Sequence, residues 1–121
     1  MKSPESLLVF QHRDWTTIPS ERIGEGIERQ MIWGERLMIC RLTFKPHVVT
    51  AVHAHPHEQI TLVERGKVVF TIDGQTRPAS AGDVLHFPSH LEHGATILDE
   101  EVVLIDIFSP IRDEFLPPGM R

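Results

Sequence analysis

At 121 residues the chain has one-domain length, and its 40% hydrophobic and 24% charged residues match a globular protein able to bury a core. A formal net charge of −5 with no long basic block excludes a general nucleic-acid surface, which needs clustered Lys and Arg. A lone cysteine, Cys40, excludes an internal disulfide and suits a reducing compartment. Near the amino end the only apolar run is Leu7 to Phe10, too short for a signal-peptide core, and no stretch approaches membrane-spanning length. The expectation is a cytoplasmic protein.

Between residues 29 and 108, short runs of β-formers alternate with turn signals, the pattern of an all-β sandwich or small barrel. RQMIW (29–33) and RLMICRLTF (36–44) flank Gly34-Glu35, a candidate two-residue hairpin. EQITLVE (58–64) and KVVFTID (67–73) follow, joined by Arg65-Gly66, and Asp73-Gly74 is the strongest turn signal. A short strand near Gln75 to Pro78 is expected next. VLHF (84–87) then stops at Pro88, and HGATIL (93–98) and VVLIDIF (102–108) form a last pair across Asp99-Glu100-Glu101. Helix signals are poor, apart from a short turn around Arg112 to Phe115. The expected organisation is a single domain over 1–121, with a barrel core at about 29–108, an arm at 1–28 and a tail at 109–121.

Alternation assigns faces. Val68, Phe70 and Ile72 share a core face, while Gln59, Thr61 and Val63 lie opposite Ile60 and Leu62. Strands 36–44 and 58–64 are apolar on both faces, which, with Trp15 and Trp33, points to a homodimer.

Histidine use is uneven. Seven of the eight lie between positions 47 and 93. In HAHPHEQ (53–59), His53, His55 and His57 occupy alternate positions, so an extended backbone turns their imidazoles to one side, an arrangement for a metal ion. Asp106 lies inside the apolar run VVLIDIF and shares a face with Leu104 and Phe108. Burying it ionised costs several kcal/mol unless it is paired or functional. It is therefore either a functional group facing a pocket or a structural acid bonded to a turn.

H-x-H-x3-Q at 53–59 with Gly66 after six intervening residues, then Gly82, Pro88 and His93, resembles the two sequence motifs of the cupin superfamily. His47 and His90 stand where those motifs carry glycine, and Gln59 stands where they carry a ligand glutamate. The resemblance implies an all-β cupin, a double-stranded β-helix or jelly-roll barrel. Its metal ligands would be His53, His55, Gln59 and His93, holding one divalent transition metal ion (Zn, Ni, Mn or Fe). Such a shell is neutral and leaves the ion's charge uncompensated, a strong Lewis acid and a trap for an anionic substrate. His57 is then expected at the rim, His86 as an ordinary strand residue, His47 and His90 in turns and His12 on the surface.

The ending D-x-F-S-P-x-R at 106–112, together with H-x-H-P-H-E-Q, is similar to the KdgF group of small cupins. Those proteins convert 4,5-unsaturated uronate monosaccharides from pectin and alginate breakdown into their linear ketonised form. The resemblance implies Asp106 as the acid/base, Phe108 as a pocket wall and Arg112 as a contact to the sugar carboxylate. Read alone, Arg112 equally suits an ion pair with Asp113 or Glu114. Rival functions are a metal-dependent cupin dioxygenase and a non-enzymatic sugar-binding sensor. A cupin lyase of sulfonium acids is disfavoured because the chain has no Tyr.

Overall fold

A computed structural model describes residues 9–120. Leu7 and Leu8 of the amino-terminal apolar run, the rest of the first eight residues and Arg121 lie outside the described residues. Among the described residues, nine strands make two antiparallel sheets: β1 (Glu21–Gly24), β2 (Ile27–Trp33), β3 (Met38–Phe44), β4 (Glu58–Arg65), β5 (Lys67–Ile72), β6 (Gln75–Ser80), β7 (Val84–Phe87), β8 (His93–Ile97) and β9 (Val102–Ser109). One sheet runs β1-β2-β3-β9-β4-β7 and the other β6-β5-β8. Among the described residues the helical elements are two 3₁₀ turns, Trp15–Thr17 and Asp113–Phe115. No described helix is long and apolar enough to cross a membrane.

The all-β expectation holds, and two expected pairings do not. HGATIL and VVLIDIF are consecutive without pairing, because β8 bonds to β5 while both edges of β9 are occupied by β3 and β4. The segment 99–101 therefore crosses between sheets, and Arg65-Gly66 makes the same kind of crossing from β4 to β5. Gly66 is required there: its φ is +87°, and a Cβ would lie 2.5 Å from the Glu101 carbonyl oxygen. The expected Gly34-Glu35 hairpin is also wider than two residues. Trp33 pairs with Met38, and Gly34 N–H donates to Leu37 O across a four-residue loop. A two-residue turn would have set Arg36 opposite Trp33 on the inner face, whereas the wider loop leaves it in solvent. Asp73-Gly74 is the tight turn foreseen, joining Ile72 to Gln75 with positive φ at both turn residues.

Register fixes what looks inward. Across the larger sheet, Trp33, Met38, Phe108, Gln59 and Phe87 form one inner row. Met31, Cys40, Asp106, Thr61 and Leu85 form the next, and Arg29, Leu42, Leu104 and Val63 a third. Apolar members join Val68, Phe70 and Ile97 from the smaller sheet in the core, so KVVFTID packs as alternation predicts. On the outer face Ile32, Ile39, Ile107 and Ile60 form a cross-strand row, with Ile60 40% exposed. The two-sided apolar character of β3 and β4 is thus real.

His47 and His90 take φ of +69° and +68°, the left-handed conformation for which the motif glycines are suited. The turns survive both substitutions. His90 N–H donates to His55 O at 2.7 Å, so this turn also fixes the backbone of a candidate ligand.

Candidate metal centre and its pocket

His53 and His55 precede β4, and His93 opens β8 on the opposite sheet. The backbones of His53 and His93 exchange two hydrogen bonds, at 3.0 and 2.9 Å, which ties the sheets together at this point. The three imidazoles converge, with one ligand atom of each within 4.8 Å of the others. His93 stacks on Phe87, with ring centroids 4.7 Å apart, and the edge of Phe108 meets His55 at 5.8 Å.

All three rings use Nδ1 in the same way. His53 Nδ1 lies 3.0 Å from Ala51 O, His55 Nδ1 3.0 Å from His57 O and His93 Nδ1 2.8 Å from Leu91 O. A carbonyl oxygen only accepts, so each Nδ1 carries the proton and each neutral ring presents a bare Nε2 lone pair. Burial, and next the Arg112 charge, push the pKa of His55 down to about 4; burial likewise lowers that of His93. These two rings are held neutral, the form that binds metal.

Gln59 stands beside the three rings. Its Oε1 lies 3.0 Å from His55 Nε2, while its Nε2 donates to Thr61 Oγ1 at 2.8 Å. Thr61 Oγ1 in turn donates to Asp106 Oδ1 at 2.7 Å. The relay has one polarity, so the amide oxygen must face the histidines. Two acceptors 3.0 Å apart with no proton between them repel unless a cation lies against both. The donor set of three imidazole nitrogens and one amide oxygen, backed by carbonyls that lock the tautomers, therefore fits a divalent transition metal ion.

Asp106 is buried at the other end of the relay. Burial pushes its pKa up to about 6, against the opposing pulls of Thr61, Arg112 and Gln59. Its neighbour Cys40 is pushed up to about 12 by burial and by the Asp106 charge, which makes the thiol inert. A cavity of about 190 Å³ opens onto His53, His93, Gln59, Asp106, Phe108 and Arg112. Its remaining wall is largely apolar, and it has room for a small molecule rather than a polymer. Arg112 lies 5.1 Å from the Phe108 ring centroid and pairs with Glu114, through Nε at 3.0 Å and Nη2 at 2.9 Å. The ion pair open to it in the sequence is thus formed, and Arg112 lines the cavity as well.

Of the residues expected in the site, His53, Gln59, His93, Asp106, Phe108 and Arg112 line this cavity, and His55 lies beside it against Gln59. His57 contributes its main-chain carbonyl to His55, and its ring sits 5.4 Å away by centroids. His86 is on the outer face, 2.6 Å from Glu58. Two residues escaped sequence reasoning. Thr61 shares the Gln59 face and is fully buried, and Arg29 points into the barrel in phase with Met31 and Trp33. An arginine at an inward position of RQMIW was the available signal.

The relay gives Gln59 a testable role. In Gln59→Glu the carboxylate offsets one unit of metal charge but has no N–H for Thr61, so two carboxylates compete for one hydroxyl proton. The expected result is metal held roughly ten-fold or more tightly in chelator competition. Equal loss of metal from variant and wild type would sink this account.

The cupin domain family matches residues 40–108, more than half of the sequence. The chain belongs to the cupin family. Within that class it is similar to the pectin degradation protein KdgF of Dickeya dadantii (strain 3937), with 37% identity over 100 residues, 81% of this chain and 91% of that one. It is also similar in structure to KdgF from Halomonas sp., at a TM-score of 0.77 and 33% identity over 81% of this chain and 91% of that one. An RmlC-like cupin from Shewanella frigidimarina NCIMB 400 matches with a TM-score of 0.84 and 33% identity, over 89% of this chain and 97% of that one.

Proposed function

We propose that the protein opens and ketonises 4,5-unsaturated uronate monosaccharides, with Asp106 as acid/base. The observation that carries this reading is the relay Gln59–Thr61–Asp106, which sets a buried carboxyl beside a candidate metal centre in a cavity that also holds an arginine. The likeness to KdgF supports the substrate class.

The substrate is an enol ether conjugated to a carboxylate. Removing the proton from the ring's hemiacetal hydroxyl lets a carbonyl form there while the ring oxygen leaves as an enolate, and the proton returned to carbon turns that enolate into a ketone. The reaction is an isomerisation, so one carboxyl that takes a proton and gives it back is sufficient. Asp106 suits this because burial holds its proton more tightly than an ordinary aspartate does. Thr61 donates to one carboxylate oxygen and fixes its direction, leaving the other oxygen for the substrate. Arg112 meets the sugar carboxylate, and Phe108 forms a wall that excludes water. A divalent ion held by His53, His55, His93 and Gln59 would supply Lewis-acid polarisation of a substrate oxygen and a charge that favours an anionic ligand.

Loss of ultraviolet absorbance of an unsaturated uronate monomer, with metal-loaded protein, is the test. Loss at least ten-fold faster than the spontaneous ring opening is expected. Loss no faster than that baseline rejects the proposal.

A further inference from the structure

Arg29 is the one charged residue of the inner rows that the proposed chemistry does not use. It is 9% exposed, in a row with Leu42, Leu104 and Val63. Its Nε and Nη2 both bond Glu21 Oε1, at 3.1 and 3.0 Å, and the Glu21 side chain is 52% exposed. An ion pair to a half-exposed carboxylate is weak recompense for burying a guanidinium. The pairing is also not fork to fork, since one oxygen takes both bonds and Nη1 has no hydrogen-bond partner among the described residues.

Arg112 repeats this arrangement. Its Nε and Nη2 both bond Glu114 Oε2, and its Nη1 likewise has no hydrogen-bond partner among the described residues. Each guanidinium carbon lies 4.2 Å from the centroid of the Phe115 ring, so the two are within about twice that distance of each other. Arg29, Arg112 and Phe115 all line the inner cavity, whereas Glu21 and Glu114 line a separate outer cavity of about 510 Å³ that shares Arg29 and Phe115. The carboxylates thus back the guanidiniums from outside, and unused N–H groups remain on two arginines that share one cavity.

We propose that Arg29 is a second binding residue for the ligand's acid group. Arg112 and Arg29 together take a carboxylate and the oxygen on the adjoining carbon, with Phe115 in contact with both guanidiniums. The pocket then selects sugar acids over neutral sugars at two points. The ligand class rests on the uronate reading above, while the pairing of the two arginines does not.

The test is calorimetric titration of metal-loaded protein with D-galacturonate, a saturated acid that cannot be ketonised, and with neutral D-galactose. Arg29→Gln should weaken galacturonate binding ten-fold or more, the loss of a charge-assisted contact. Its galactose binding should not change. Arg29→Lys, which keeps the charge and the Glu21 partner without the fork, should fall between the two and guards against misfolding of the glutamine variant. Glu21→Gln breaks the ion pair but keeps the guanidinium, and should stay within about three-fold of wild type.

Unchanged galacturonate affinity in Arg29→Gln, equal losses in Arg29→Gln and Glu21→Gln, or a wild type that does not bind galacturonate would each overturn the inference. Arg29-dependent binding in a protein that does not accelerate absorbance loss would leave the inference standing and remove the ketonisation reading. Ketonisation with an unchanged KM in Arg29→Gln would do the reverse.

Discussion

Asp106→Asn should abolish acceleration of absorbance loss while leaving the barrel intact. The amide is isosteric, and its oxygen still accepts the Thr61 hydroxyl that now bonds Asp106 at 2.7 Å. What disappears is the exchangeable proton, and general acid–base catalysis of this kind contributes roughly 10²–10⁴-fold in rate. A fall of at least 10²-fold is therefore expected, towards the spontaneous rate. A variant that keeps more than about a tenth of wild-type activity would assign the proton transfer to another group.

The same substitution has a stability readout that does not depend on substrate. In the folded protein the Asp106 pKa is about 6, above its ordinary 3.8. The folded state therefore binds more protons than the unfolded state between those values. Stability from this residue is fully present below 3.8 and is lost as pH rises through about 6. Asparagine has no such dependence. In metal-free protein, Asp106→Asn should thus gain in Tm relative to wild type as pH rises from 4 to 7. His55 and His93, whose lowered pKa values act in the opposite sense, are common to both proteins and cancel in the comparison. A Tm difference that stays flat with pH would show that Asp106 is not held protonated by burial.

Much of this site was legible because strand alternation is a strict period. Once VVLIDIF and EQITLVE were strands, Asp106, Phe108, Gln59 and Thr61 had to share a face or its opposite, and the register joins them on the inner one. The histidines were legible through spacing together with the Gly66, Gly82 and Pro88 turns. Sheet partnership was less accessible, because nothing local in Arg65-Gly66 or Asp99-Glu100-Glu101 distinguishes a hairpin from a crossing. That choice follows from which edges β3 and β4 leave for β9. The direction of the Gln59–Thr61–Asp106 relay was equally out of reach, since it depends on cross-strand distances. Arg29 was missed for another reason. Arginine on a strand reads as solvent-facing by default, and the ring that receives it, Phe115, is far along the chain, beyond the last strand.

Adding a divalent transition metal to metal-free protein should raise its Tm, and His53→Ala or His93→Ala should abolish the rise. Binding to the folded state alone stabilises by about 2.7 kcal/mol at a hundred-fold excess over Kd, or roughly 10 °C for a domain of this size. The two variants share this outcome and differ in baseline. His53 is exposed, so its loss should cost little without metal. His93 is 6% exposed and stacked on Phe87, so its loss should lower the metal-free Tm as well. The comparison that matters is the metal-induced shift within each variant. Because the Nδ1 protons of all three rings are already held by carbonyls, binding needs no change of tautomer. With His55 held near a pKa of about 4, that ring also has no proton to lose near neutral pH. Titrations with zinc, nickel, manganese and ferrous iron, read by calorimetric melting, would show which ion the neutral shell prefers. If none shifts the wild-type Tm, or the shift persists in both alanine variants, then the converging imidazoles are not a metal centre. The facing acceptors of His55 and Gln59 would then need another cation or a proton between them.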